Sequence, residues 1–118
     1  MLKLDLTAAA AEPVWHDLAP GFRVRVKPLD TFALTLAASR VPGDIAEDRG
    51  TYVSVEAAKL AIVEWEGIGD QDGNPLPVSP DAVVALFRTV PSVYSAWHSQ
   101  IYLPSYAAGL EREAEKNG

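Results

Sequence analysis

The sequence contains no cysteine, a single methionine and two histidines. The absence of cysteine excludes disulfides, thiolate metal sites and cysteine nucleophiles, and it fits a reducing compartment. No apolar run approaches the roughly 20 residues that span a bilayer. The opening letters MLKLDLT also lack the basic and apolar regions of a signal peptide. These absences predict a cytoplasmic protein that does not act at a membrane.

Clustered positive charge is missing as well. Ten Lys and Arg residues stand against sixteen Asp and Glu residues, so the net charge is −6. Binding to nucleic acid depends on grouped Lys and Arg side chains that contact phosphates, and this charge balance argues against it. With 118 residues, 48% of them apolar, the chain has the composition of one globular domain over residues 1–118.

Apolar periodicity predicts an α+β fold that is mostly helical. Residues 14–18 and 22–27 alternate, and Pro20-Gly21 between them is typical of a type II turn, so we expect an N-terminal β-hairpin. Residues 2–6 alternate as well and form a candidate third short strand. The strand region therefore covers residues 1–28.

Helix signals fill residues 29–118, where we expect four to five helices packed on the hairpin. Asp30 or Thr31 can cap the first helix, and a charged connector without a clear pattern follows at 41–53. The segment SVEAAKLAIVEWEG is the clearest helix, with Ser54 as its N-cap and Trp65 on its apolar side.

Prolines mark the ends of the later helices. Ser79-Pro80 is typical of a helix start, and a break is expected at Val90-Pro91. A last helical segment covers about 91–116. Proline cannot donate a backbone hydrogen bond to the carbonyl four residues earlier, so we expect the last helix to be kinked at Pro104.

The loop GDQDGNPLPVSPD partly matches a calcium-binding loop. Positions 1, 3, 5 and 12 of an EF-hand pattern are occupied by Asp70, Asp72, Asn74 and Asp81. Position 6, where that pattern requires Gly, is Pro75, and position 12 is Asp where Glu is usual. The alternative is a solvated connector between two helices, in which Asp-Gly and Asn-Pro form the bends. We therefore expect neither a metal ion nor another cofactor.

Candidate catalytic groups form no recognised pattern. His16 and His98 lack metal-ligand spacing, and Glu64 and Glu66 diverge on the predicted helix. The sequence contains no nucleophile elbow and no Gly-rich phosphate loop. We therefore expect a protein that is not an enzyme.

Two rows follow the last helical segment at helical spacing. One row consists of Tyr94, His98, Tyr102 and Tyr106, and the other of Val93, Ala96, Trp97 and Ile101. Tyrosine rings that cover the core while their hydroxyls reach water explain one row. Because a small domain can scarcely bury both rows, a partner surface or a homo-oligomer surface is the alternative. Its predicted contact residues are Tyr94, Trp97, Ile101, Tyr102 and Tyr106.

The second hairpin strand presents Arg23, Arg25 and Lys27 on one face. A solvated strand face that discourages edge pairing explains this pattern. The alternative is a docking face for the acidic part of a neighbouring copy.

Several motifs together resemble a known family. They are the helix end WEGI (Trp65 to Ile68), the connector DQDGNPLP (Asp70 to Pro77), the helix start SPDA (Ser79 to Ala82) and the closing Lys116-Asn117. With the hairpin letters GFRVRVKPLDT, this arrangement resembles the small tail assembly chaperones of long-tailed bacteriophages, prophages and gene transfer agents. The resemblance covers about residues 20–40 and 58–118, and its connector is the most specific part.

The resemblance implies a non-enzymatic role in the bacterial cytoplasm. Such chaperones keep the tape-measure protein, a long apolar helical chain, soluble and help it assemble with the tail-tube protein. Two other classes fit the same residues: a phage structural component such as a connector or tail-terminator subunit, and a small bacterial protein-binding module.

Overall fold

A computed structural model describes residues 1–6 and 12–117, with side chains described as far as Glu111. Three strands form an antiparallel sheet in the order β1-β2-β3: β1 (Val14–Ala19), β2 (Phe22–Val26) and β3 (Ile62–Glu66). The helices are α1 (Thr31–Ser39), α2 (Arg49–Ala61), α3 (Pro80–Thr89), α4 (Pro91–Trp97) and α5 (Leu103–Asn117). A π-helical turn (His98–Tyr102) joins α4 to α5. The predicted α+β fold, mostly helical with an N-terminal hairpin, is confirmed.

The hairpin forms where the alternating pattern predicts it. Strands β1 and β2 pair in antiparallel register, with Val14 opposite Val26. Gly21 has φ of 76°, the left-handed conformation that the turn after Pro20 requires and that glycine adopts without strain. Alternate residues of β2, beginning at Phe22, are buried against the helices.

The third strand is not the one that the sequence suggests. Leu2, Leu4 and Leu6 lie outside the sheet and are 76–86% exposed. The third strand is instead β3, within the segment predicted as the end of a helix, and Trp65 pairs there with Val24 of β2. The helix prediction for 62–66 was therefore wrong, although Trp65 is buried as expected.

Helix α2 begins earlier than predicted. Its N-cap is Asp48, which has φ of 58°, and Ser54 lies buried inside the helix. Part of the charged connector 41–53 is therefore helical. The Arg49 side chain donates hydrogen bonds to the carbonyl oxygens of Pro42 and Ala38, both at 3.1 Å. This side chain holds the connector against the end of α1.

The caps of α1 and α3 agree with the sequence patterns. Asp30 accepts a hydrogen bond from the backbone N–H of Ala33 at 2.8 Å, and Ser79 accepts one from Ala82 at 3.1 Å. Each bond satisfies an N–H that would otherwise lack a partner in the first helical turn. The predicted break at Pro91 separates α3 from α4.

The final helical segment changes its winding just before Pro104. The backbone N–H of Leu103 donates to the carbonyl oxygen of His98, five residues back. Because Pro104 has no N–H, the carbonyl of Gln100 lacks its usual helical donor. The wider π turn includes Gln100 and ends two residues before this proline. The buried apolar residues of the sheet, of α1 to α4 and of the π turn form one cluster around Val24, Ala57 and Trp97.

Candidate protein-binding groove

The predicted aromatic row exists as a line of touching rings. Centroid distances are 5.6 Å from Tyr94 to His98, 5.2 Å from His98 to Tyr102 and 6.4 Å from Tyr102 to Tyr106. Phe87 of α3 extends the line, 5.4 Å from Tyr94 in an edge-on arrangement. In a regular α-helix, a four-residue step overshoots one turn, so such a row winds around the axis. The π turn winds more slowly and therefore brings the row back into line.

The row passes from the core to the surface. Among the predicted partner contacts, Trp97 is fully buried, and Ile101 and Tyr102 are 5% and 6% exposed. Tyr94 is half-buried, whereas Tyr106 is 48% exposed. In this conformation, the side chains of Trp97 and Ile101 therefore pack in the core. A role of these five residues in partner binding stays a prediction. Tyr106 is the most exposed of the five.

Tyr106 lies in a groove between α1, α2 and the start of α5. The groove has a volume of about 680 Å³. Its exposed apolar rim includes Leu103 and Leu110, which are 46% and 51% exposed. The complete lining is Thr31, Leu34, Thr35, Ala38, Arg49, Gly50, Val53, His98, Tyr102, Leu103, Tyr106, Gly109 and Leu110. We call this feature the α1–α5 groove.

Gly109 fixes how closely the two walls of the α1–α5 groove approach. Its Cα faces α1, and a Cβ at this position would lie 3.3 Å from the hydroxyl oxygen of Thr31. The small residue therefore lets α5 pack tightly on α1 at one point. Sequence reasoning missed Leu103 and Leu110, although Leu103, Tyr106 and Leu110 stand at i, i+3 and i+7, the spacing of an apolar helix face.

A buried polar cluster supports the floor of this groove. Ser54 Oγ lies 2.9 Å from His98 Nδ1, and Trp97 Nε1 donates to Ser54 Oγ at 3.2 Å and to its carbonyl oxygen at 3.1 Å. Tyr94 Oη completes the cluster, 3.4 Å from His98 Nδ1. Ser54 is fully buried, and these bonds occupy its hydroxyl. Ser54 is thus held inside the fold, whereas His98 also lines the groove.

Burial also affects the tyrosine at the groove wall. Removal from water raises the pKa of the Tyr102 hydroxyl, and the neighbouring hydroxyls of Tyr106 and Tyr94 raise it further. The phenol stays neutral across the physiological range. The Tyr102 ring therefore adds a neutral phenol to the wall of the groove.

The candidate calcium loop uses its first carboxylate for its own backbone. Asp70 Oδ1 accepts hydrogen bonds from the backbone N–H groups of Asp72 at 2.9 Å and Asn74 at 3.0 Å. The backbone N–H of Asp70 donates to the carbonyl of Asn74, which closes a tight turn. Asp81 stands apart, in the first turn of α3. Among the residues described, no three His, Cys, Asp or Glu side chains are grouped so that they could hold a metal ion.

The outer face of the sheet carries both charge signs. Arg23 donates to Glu66 at 2.7 Å and 3.0 Å, and Arg25 Nη1 lies 3.5 Å from a Glu64 carboxylate oxygen. The hydrogen bond from Arg23 lowers the pKa of Glu66. The guanidinium of Arg23 also lies 4.3 Å from the centroid of the Trp15 ring. Acidic residues of β3 thus neutralise the arginines that the sequence presents as a basic face.

Comparisons with known proteins give no relative. No family model, no curated protein and no solved structure matches the chain at a significant level. Within residues 1–6 and 12–117, none of the helices combines the length and apolar content needed to cross a lipid bilayer.

Proposed function

We propose that this protein binds an apolar helical segment of another polypeptide in the α1–α5 groove, as a phage or prophage tail assembly chaperone. The partners of such a chaperone are the tape-measure protein and the tail-tube protein. The observation that carries the proposal is the groove, whose rim exposes Leu103, Tyr106 and Leu110 beside one another. Amphipathic helices bind in apolar grooves of this kind through residues spaced by three or four.

The charge of the chain favours this role. A chaperone that holds an apolar chain has to keep the loaded complex in solution, and a net charge of −6 supplies repulsion between complexes. Among the described residues that line the groove, Arg49 is the one with a charged side chain, and it already bonds to the carbonyl oxygens of Ala38 and Pro42. The surface offered to the partner is therefore mainly apolar.

A labelled synthetic peptide tests groove binding directly. The probe is an amphipathic helix with Leu at i, i+3, i+4 and i+7, and binding is followed by fluorescence anisotropy. Leu110→Ser is expected to weaken binding by about tenfold, since one apolar contact of this size contributes about that much. Val14→Ser is the matched control, because Val14 is 55% exposed and lies outside the groove. Equal binding by both variants would argue against the groove as the site.

The chaperone role is tested with the natural partner. A gene for a very long helical protein is expected just downstream of this one, and co-expression should raise the soluble yield of that protein. Leu110→Ser should reduce this effect, whereas Val14→Ser should not. A stable ring of many copies in gel filtration would instead favour a connector or tail-terminator subunit.

A further inference from the structure

The first six residues place three leucines in water. Leu2, Leu4 and Leu6 are 86%, 77% and 76% exposed, and none of them belongs to the buried core. Residues 1–5 are not helical, whereas Leu6 is in a helical conformation. When the segment extends through Leu6 on binding, alternate side chains point the same way and the three leucines form a single apolar edge. Lys3 and Asp5 then point to the opposite side. A short segment with one apolar edge and one polar edge is suited to an open apolar groove.

The α1–α5 groove matches this segment in length and chemistry. Leu2 and Leu6 are four residues apart, which is about 13 Å in an extended chain. Tyr102 and Leu110 border the groove eight residues apart on one helical segment, which is about 12 Å. The groove presents aliphatic and aromatic side chains along this length. In the structure, the segment lies outside the groove of its own chain, since its leucines are exposed.

We propose that residues 1–6 of one copy occupy the α1–α5 groove of a second copy, and that reciprocal exchange forms a symmetric dimer. This inference does not depend on the proposed chaperone function. The two contacts of such a dimer are identical, as a twofold axis requires.

The buried area is sufficient for a stable dimer. Six residues of average mass, about 650 Da, expose about 950 Å² when extended. If half of this area is covered, the two segments together lose about 950 Å² of accessible surface, before the surface of the grooves is added. Specific protein–protein interfaces bury roughly 1,200–2,000 Å² in total, and adding the surface of both grooves brings the exchange to the low end of that range.

Mass measured across a range of concentrations tests the dimer. Light scattering coupled to gel filtration should give twice the chain mass for the unmodified protein. Leu4→Ser in the segment and Leu110→Ser in the groove should each weaken dimerisation by about tenfold or more. Val63→Ser is the control, because Val63 is an exposed apolar residue of β3 outside both surfaces. A monomer at every concentration, or a dimer that neither variant weakens, would overturn the proposal.

Cross-linking distinguishes exchange between copies from docking within one copy. The chain has no cysteine, so two single-cysteine variants, Leu4→Cys and Tyr106→Cys, can be mixed without background. Under oxidation we expect a covalent pair between the two variants, whereas Leu4→Cys with Val63→Cys should give none. Failure to cross-link overturns the exchange but leaves the peptide-binding test untouched. If exchange occurs, Leu4→Ser should also bind the helical peptide more tightly, since the groove is then free.

Discussion

Nδ1 of His98 lies 2.9 Å from Oγ of Ser54, which joins the aromatic row to the interior of α2. Ser54 has no contact with water, and its hydroxyl also accepts a hydrogen bond from the Trp97 indole. A buried polar group contributes to stability only while its partners are in place, since an unpaired one costs free energy. Removing the Ser54 hydroxyl should therefore destabilise the protein.

Replacing Ser54 by Ala should lower the free energy of unfolding by about 1–3 kcal/mol, because the partly buried His98 nitrogen and the buried Trp97 indole N–H lose their bonds to the Ser54 hydroxyl. Urea denaturation followed by circular dichroism measures the change. Ser99→Ala is the control: Ser99 is exposed and bonds only to the carbonyl of Ser95, so its loss should stay within about 0.5 kcal/mol. Equal effects of the two variants would show that the cluster adds nothing to stability.

Replacing Trp65 by Ala should lower the free energy of unfolding by about 3–5 kcal/mol, since the ring is 8% exposed and packs 6.4 Å from Phe22. Trp65→Phe keeps an aromatic ring but loses the Nε1 hydrogen bond to the carbonyl of Leu76, and should cost less. The same denaturation experiment applies. A loss below about 1 kcal/mol for Trp65→Ala would contradict the position of β3 in the core.

Replacing Gly67 by Ala should destabilise the protein more than replacing Gly73 by Ala. Both glycines have positive φ, 92° and 83°, so each substitution carries a backbone cost of about 1–2 kcal/mol. Only at Gly67 would the new Cβ also overlap the carbonyl oxygen of Gly21, whereas the space around Gly73 is open. Thermal melting of the two variants separates the effects. Equal melting temperatures would show that the strand end at Gly67 is not packed against the hairpin turn.

Alkaline pH should destabilise the protein partly through Tyr102. Burial raises the pKa of this hydroxyl in the folded state, so folding favours the neutral phenol. The contribution is complete below the unfolded pKa of about 10 and is lost as pH rises from there through the folded pKa. Tyr102→Phe should therefore lose less stability than the unmodified protein above about pH 10. Tyr52→Phe, at an exposed position, should follow the unmodified protein, and parallel curves for all three would contradict the shift.

Local signals in the sequence predict much of the fold. The hairpin turn at Pro20-Gly21 and the caps at Asp30 and Ser79 each depend on neighbouring residues alone, and the structure confirms all three. The aromatic spacing likewise predicts a continuous row, because one helical segment carries it. These features need no knowledge of distant contacts.

Strand β3 could not be predicted because a bulge removes its alternation. Arg25 pairs with Glu64 and Val26 with Ile62, so Val63 is an extra residue without a partner on β2. Buried Ile62 and Trp65 are then three positions apart, which mimics a helix face. The strand also follows α2 without a loop. The conformation of β3 depends on its pairing with β2, which is far away in the sequence. The spacing of apolar residues contains no information about that pairing.

The start of α2 and the α1–α5 groove were missed for similar reasons. Asp48 takes a left-handed conformation and makes no side-chain cap, so the usual start signal is absent. The groove depends on how α5 meets α1 at Gly109, a contact between residues far apart in the chain. Residue patterns identify apolar faces, but the packing of whole helices decides which faces stay open.

The π turn at His98–Tyr102 has a consequence for how this chain tolerates changes in length. A π turn holds one residue more than an α-helical turn over nearly the same rotation. Because a regular helix advances by about 100° per residue, removing one residue from that turn and restoring ordinary winding would leave α5 close to its present angle, with Tyr106 and Leu110 still on the side of the groove. Deleting one residue of the regular winding of α5 ahead of Tyr106 would instead turn both side chains by roughly 100° and so dismantle the outer wall of the groove.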